Sequence, residues 1–155
     1  MTVVVSDTSA ISALLQVDEV HILEQLYGQI LIPEAVQQEL AKSHDALPAF
    51  IQLAPVETSS ILNERLHELD KGEAYAITLA EQLHADLLLI DEKKGRAVAA
   101  RAGIPYMGLV GALIEAKRRK LIPNLKELLA RITADAGFRL APSILDAVLK
   151  AAGES

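Results

Sequence analysis

The sequence predicts an α/β fold of three layers, a central and mostly parallel sheet between helices, followed by helices at the C-terminal end. Three observations predict it. Short β-branched or aliphatic runs alternate with runs of helical period along the chain. The stretch Leu87-Leu88-Leu89-Ile90 is apolar at every position, as expected of a parallel strand covered on both faces. The 155 residues, 51% hydrophobic and 23% charged, suffice for one domain with its own core.

The elements follow in order. Val3-Val4-Val5 is a short strand closed by Ser6-Asp7. Helical spacing follows at Ile11, Leu14 and Leu15 and again at Val20, Ile22, Leu23 and Leu26, until Gly28 breaks it. Ile30-Leu31-Ile32 is the next strand; Pro33 suits the first position of a helix carrying Ala35, Val36 and Leu40. Residues 43–55 are turn-rich, with 51–54 extended. A helix over 61–69, a turn at Lys71-Gly72 and a helix over 73–83 lead to the strand at 87–90. A helix over 95–101 ends at Gly103, a C-cap residue, before a short edge strand at 104–107 containing Pro105. Helices over 109–117, 125–134 and 144–151 complete the chain, separated by Pro123, Gly137 and Pro142. The expected organisation is a single domain over 1–155, with a core over about 1–117 and a helical extension over about 118–155.

Composition excludes several classes. There is no cysteine, which removes disulfide scaffolds, thiolate zinc sites and cysteine nucleophiles, and fits a cytoplasmic setting. No apolar run approaches the roughly 20 residues of a membrane span, and the N-terminus has no signal-peptide pattern. Aromatic residues make up 3%, which disfavours sheet platforms for stacked bases. No GxGxxG or Walker A run is present. The net charge is −6 but uneven: residues 1–92 carry 3 Lys+Arg against 16 Asp+Glu, and residues 93–131 carry 10 against 2. An acidic body joined to a basic segment suits a site that holds cations and meets a polyanion; it equally suits solvated helix faces of opposite sign.

The acids occupy informative positions. Asp7 and Asp91 end two strands, so parallel pairing brings them to one edge. Glu39 lies three residues after Val36 and four after Ala35, on an apolar helix face. Glu73 precedes Ala76, Ile77 and Ala80 along another such stripe. Structural roles exist for each: Asp7 or Asp91 as helix caps, Asp70 and Glu73 as a capping box, and Glu39 as a boundary residue beside Lys42. If the four converge, mutual repulsion raises their pKa values and a divalent cation with a preference for oxygen relieves it. The four histidines, His21, His44, His67 and His84, show no ligand spacing, so Mg²⁺ or Mn²⁺ is favoured over zinc.

These residues resemble the motifs of the PIN domain family. Val5-Ser6-Asp7-Thr8-Ser9 is similar to its first motif, Ile32-Pro33 through Glu39-Leu40 to its second, Gly72-Glu73-Ala74 to its third, and Leu88-Leu89-Ile90-Asp91 with Gly95-Arg96 to its fourth. Leu89 stands where many members have Thr or Ser. The tail, with Gly137-Phe138, resembles a prokaryotic subgroup of VapC-like toxins paired with small antitoxins. The resemblance implies a metal-dependent endoribonuclease. Asp7, Glu39, Glu73 and Asp91 would be its catalytic and metal-binding acids, with Thr8, Ser9 and Arg96 in support. Glu92 is a further acid in the same stretch. Lys93, Lys94, Lys117, Arg118, Arg119 and Lys120 are candidates for holding the RNA backbone, and partners would be RNA, an antitoxin and a second copy in a homodimer. Two other readings remain: a PIN-like module that binds nucleic acid or protein without turnover, and an Asp-dependent phosphohydrolase. The phosphohydrolase wants a second Asp where Ser9 stands.

Overall fold

The computed structural model describes residues 2–138 and 140–154. Strand β1 (Val4–Ser6) is followed by α1 (Thr8–Gln16) and α2 (His21–Tyr27), then β2 (Ile30–Ile32), α3 (Glu34–Ala41) and β3 (Ile51–Leu53). Helices α4 (Ser60–Glu68) and α5 (Lys71–Gln82) lead back to β4 (Leu87–Leu89), α6 (Lys93–Arg101) and β5 (Tyr106–Met107). Helices α7 (Leu109–Arg118), α8 (Leu125–Ala136) and α9 (Pro142–Ala151) complete the described chain.

The five strands form one sheet in the order β3-β2-β1-β4-β5, and every pairing is parallel. The chain first builds outward from β1 through β2 to β3, then returns to the other side of β1 with β4. The order therefore reverses between β1 and β4, and the crevice outside the carboxyl ends of these strands is where open α/β sheets bind ligands. Register fixes what stands there. Ser6 pairs with Leu89, and the Asp7 N–H donates to the Leu89 carbonyl at 2.9 Å. The residues that follow the two strands, Asp7 and Ile90-Asp91, thus emerge side by side.

Helix α5 packs on β1 and β4, with α4 and α6 beside it; α2 packs on β2, α7 on α2, and α8 on α1 and α7. Helix α3 touches both α1 and α5, and α9 lies against α7. The three-layer α/β/α architecture expected from the sequence is present. The core runs from Val4 and Val5 through Ile77, Leu88 and Leu89 to Leu125, Ile132 and Leu149.

Several boundaries differ from the expected ones. The turn at Lys71-Gly72 is absent: Asp70 Oδ1 accepts from the Glu73 N–H at 2.9 Å, which makes Asp70 the N-cap and starts α5 at Lys71. The same capping pattern, read from the sequence with Glu73 at its third position, already required this start. Helix α9 begins at Pro142, whose missing N–H loses nothing in a first turn. Pro33 instead sits one position before α3, as its cap residue. The edge strand β5 is two residues long rather than four, because Pro105 cannot donate to a ladder.

Candidate active site

Asp7 is the N-cap of α1, its Oδ1 accepting from the Thr8 N–H at 2.6 Å, and its side chain is buried at 4% exposure. Thr8 extends the arrangement: its Oγ1 donates to Glu39 Oε2 at 2.6 Å, across 31 residues of sequence. Glu39 therefore turns inward, half-buried, rather than outward beside Lys42. Glu73 is buried at 5% exposure on the first turn of α5, and its Oε2 has no hydrogen-bond partner. Asp91 does not cap the helix that follows it. Its Oδ1 instead accepts from the Leu109 N–H at 3.0 Å, at the start of α7, and lies 3.5 Å from Arg96 Nη2. Asp91 Oδ2 is buried and unpartnered.

Electrostatics ties these groups together. Burial, the dominant cause, and the charges of Asp70, Glu39 and Asp91 push Asp7 up to about 7, against the lowering effect of the Thr8 N–H. Glu73 is pushed up to about 8, first by burial, then by the Asp70 carboxylate beside it and the charges of Asp7 and Glu92. Burial also raises Asp91, opposed by the Leu109 N–H and Arg96. All four acids picked from the sequence thus belong to one neighbourhood, and Asp70 joins them. Its cap role hid it in the sequence; one turn of helix from Glu73 to the cap was the available signal. Glu92 is exposed at the cap position of α6.

Three glycines shape the acids. A Cβ on Gly72 would overlap Glu39 Oε1, with Glu39 Cδ at 2.9 Å; one on Gly95 would stand 2.7 Å from Glu73 Oε2. One on Gly108 would overlap Arg96 Nη2 and stand 2.5 Å from Asp91 Oδ1. Each glycine lets backbone approach a carboxylate as no other residue does. Gly72→Ala tests this. Alanine favours a helix over glycine by about 1 kcal/mol, and the atom it meets ends a flexible side chain. We expect the melting temperature to hold or rise. Glu39 is displaced from Thr8, and any affinity for a divalent cation, followed by thermal shift, falls roughly 10- to 100-fold.

The basic candidates divide. Lys93 and Lys94 open α6, two and three residues after Asp91, and are exposed. Arg96 donates from Nε to the Ile90 carbonyl at 3.0 Å and lies over the Tyr106 ring. Ser9 lines a groove beside Thr8. Lys117, Arg118, Arg119 and Lys120 stand elsewhere. Leu109 is anchored at the site, and ten residues of helix carry the chain about 15 Å from it. There Lys117 donates to the Pro123 carbonyl and pairs with Glu154 at 3.0 Å; Arg119 pairs with Glu115 and donates to the Leu26 carbonyl. Arg118 pairs loosely with Glu115 at 3.9 Å, and Lys120 is exposed at a positive φ of 62°. These four flank the opposite end of α7 and do not line the acidic crevice.

The donor set is all oxygen, with two buried oxygens left without partners, which suits a hard divalent cation. Among the described residues no three Asp, Glu, His or Cys side chains stand close enough to enclose an ion. Separate hydrogen bonds engage each acid: Asp7 with the Thr8 N–H, Glu39 with the Thr8 hydroxyl and Asp91 with the Leu109 N–H. The fit is thus one of chemistry and neighbourhood rather than of a closed cage.

Buried acids at the switch point of a parallel sheet mark a ligand-binding site of an open α/β fold. The family model of the PIN domain matches residues 3–154, and the chain belongs to that family. PIN domains are a nuclease fold whose members generally use divalent metal ions. No curated protein matches the sequence. Among the described residues no helix is long and apolar enough to cross a membrane.

Proposed function

We propose that the protein is an Mg²⁺- or Mn²⁺-dependent endoribonuclease, the VapC-like toxin of a type II toxin–antitoxin pair acting in the cytoplasm. One observation supports the reading: Asp7, Glu39, Glu73 and Asp91 share one neighbourhood beside the carboxyl ends of β1 and β4, and one oxygen each of Glu73 and Asp91 is buried without a partner. A bound cation would stabilise charge on the phosphate and acidify a water. Asp7, Glu73 and Asp91 are the residues to hold it, with Glu39 oriented by Thr8. Asp7 accepts the one proton given up by the water that attacks phosphorus in line, with Asp91 holding that water beside it; the P–O bond opposite breaks, and the leaving oxygen takes a proton from solvent. Arg96, Lys93 and Lys94 border the crevice and neutralise backbone phosphates. An antitoxin and a second copy of the chain are the partners this reading implies.

Incubation with a mixed RNA pool tests it. Cleavage is expected with Mg²⁺ or Mn²⁺ and not with EDTA, and Asp91→Asn should lower it at least about 100-fold. Cleavage that survives EDTA and the substitution overturns the reading. The alternative, a PIN-like module that binds nucleic acid or protein without turnover, predicts retention of its partner with no RNA cleavage under any metal.

A further inference from the structure

A groove of about 380 Å³ opens beside Thr8, between α1 and the C-terminal end of α8. Thr8, Ser12 and Gln16 line it at four-residue intervals, so one face of α1 forms a wall of hydroxyl and amide groups. Ser12 Oγ lies 3.2 Å from His44 Nε2, and Gln16 is exposed. The opposite wall holds Asp135 and Phe138; Gly137, at a φ of 69°, turns the chain out of α8 and sets the half-buried phenyl ring there.

The lining selects its occupant. Asp135 and the helix C-terminus make the wall negative, and no Lys or Arg is among the described residues lining the groove. A phenyl face, an amide that donates and accepts, and hydroxyls suit a nucleobase and a ribose 2′-OH. The volume lies at the low end for ligand sites and holds about one nucleoside. The groove adjoins the acidic site through Thr8, which follows Asp7 and donates to Glu39.

We infer that this groove is the base subsite of the RNA. One nucleoside adjoining the scissile phosphate stacks its base on Phe138 and presents its edge and 2′-OH to Gln16, Ser12 and Ser9. The inference rests on the ribonuclease reading and adds a preference for one base beside the cut.

The test has two arms. In the first, wild type, Phe138→Leu, Phe138→Trp and Gln16→Ala cleave a randomised single-stranded RNA pool with Mn²⁺, and the ends are sequenced. The Leu variant keeps apolar packing and loses the π face. Wild type should show a base preference at one position next to the cut. Phe138→Leu and Gln16→Ala should flatten it and raise KM for the preferred oligonucleotide about tenfold, while Phe138→Trp should retain it. Cleavage with unchanged preference and KM in both variants overturns the subsite and leaves the ribonuclease reading standing. In the second arm, wild type in EDTA is photo-crosslinked to a short 4-thiouridine RNA. Crosslinks within residues 8–16 or 135–138 support the subsite; crosslinks confined elsewhere, or none, overturn it. An uncut pool marks failure of the ribonuclease reading, and the crosslinks still decide the groove.

Discussion

Asp7→Asn should abolish metal-dependent cleavage and at the same time raise the stability of the metal-free protein. Asparagine caps a helix as well as aspartate does, so the start of α1 is kept. What disappears is a buried negative charge facing Asp70, Glu39 and Asp91. The sign follows from the raised pKa. An ordinary Asp ionises near 3.8 in the unfolded chain, and Asp7 does so near 7 when folded. The folded state therefore holds the proton more tightly. This stabilising contribution is complete below pH 3.8, declines as pH rises, and is lost once pH passes about 7. Glu73, pushed up to about 8, acts in the same direction over a slightly higher window.

The metal-free wild type should thus melt at a lower temperature at pH 8.5 than at pH 5. Asp7→Asn should remove part of that slope, by about 2–4 kcal/mol at high pH, or roughly 5–10 °C for a chain of this length. Mn²⁺ should raise the wild-type melting temperature at pH 8 and leave the variant nearly unchanged. Melting curves at several pH values, with and without Mn²⁺, check all three statements. A variant with the wild-type pH slope, or one that still responds fully to Mn²⁺, would show that Asp7 lies outside the cation's reach.

Gly95→Ala is the second large effect, and its direction opposes helix propensity. In an open helix the change stabilises by about 1 kcal/mol. At position 95 the new methyl would stand 2.6 Å from Ile90 Cδ1 and 2.7 Å from Glu73 Oε2, both on buried side chains. Overpacking of this kind destabilises by about 1–3 kcal/mol, and relief by moving Glu73 disturbs the acidic crevice. We expect a lower melting temperature and a loss of Mn²⁺ response together. Gly111→Ala is the matched control: its methyl meets only Met107, with Cγ at 2.7 Å, and a flexible thioether yields readily. Equal melting temperatures for the two variants would refute the role of Gly95.

The parts of the site that could be read from the sequence are those with a local signature. A strand ending in Asp places Asp7 and Asp91, and an acid on an apolar stripe marks Glu39 and Glu73. The parallel sheet was legible in Leu87–Ile90 for the same reason. Contacts between distant segments leave no local pattern. Gly72, Gly95 and Gly108 look like ordinary helix-start or loop residues until the carboxylates they face are placed. Asp70 carries a complete local explanation as a cap, so nothing in the sequence asks for another. Charge summed along a chain ignores direction, and a helix of ten residues carries Lys117–Lys120 away from the acids. Phe138 follows a glycine in a short interhelical stretch, and only the fold brings it beside Thr8.

Asp91 divides its two oxygens between tasks: one tethers the first N–H of α7, and the other is unengaged. Silencing such a protein by mutation is therefore constrained. Alanine at 91 would strand the Leu109 N–H at a loss of about 1 kcal/mol, loosening the junction from which the three C-terminal helices continue. A variant of this chain that loses the carboxylate yet retains its shape has to keep an acceptor at that reach, so asparagine is the natural replacement at this position.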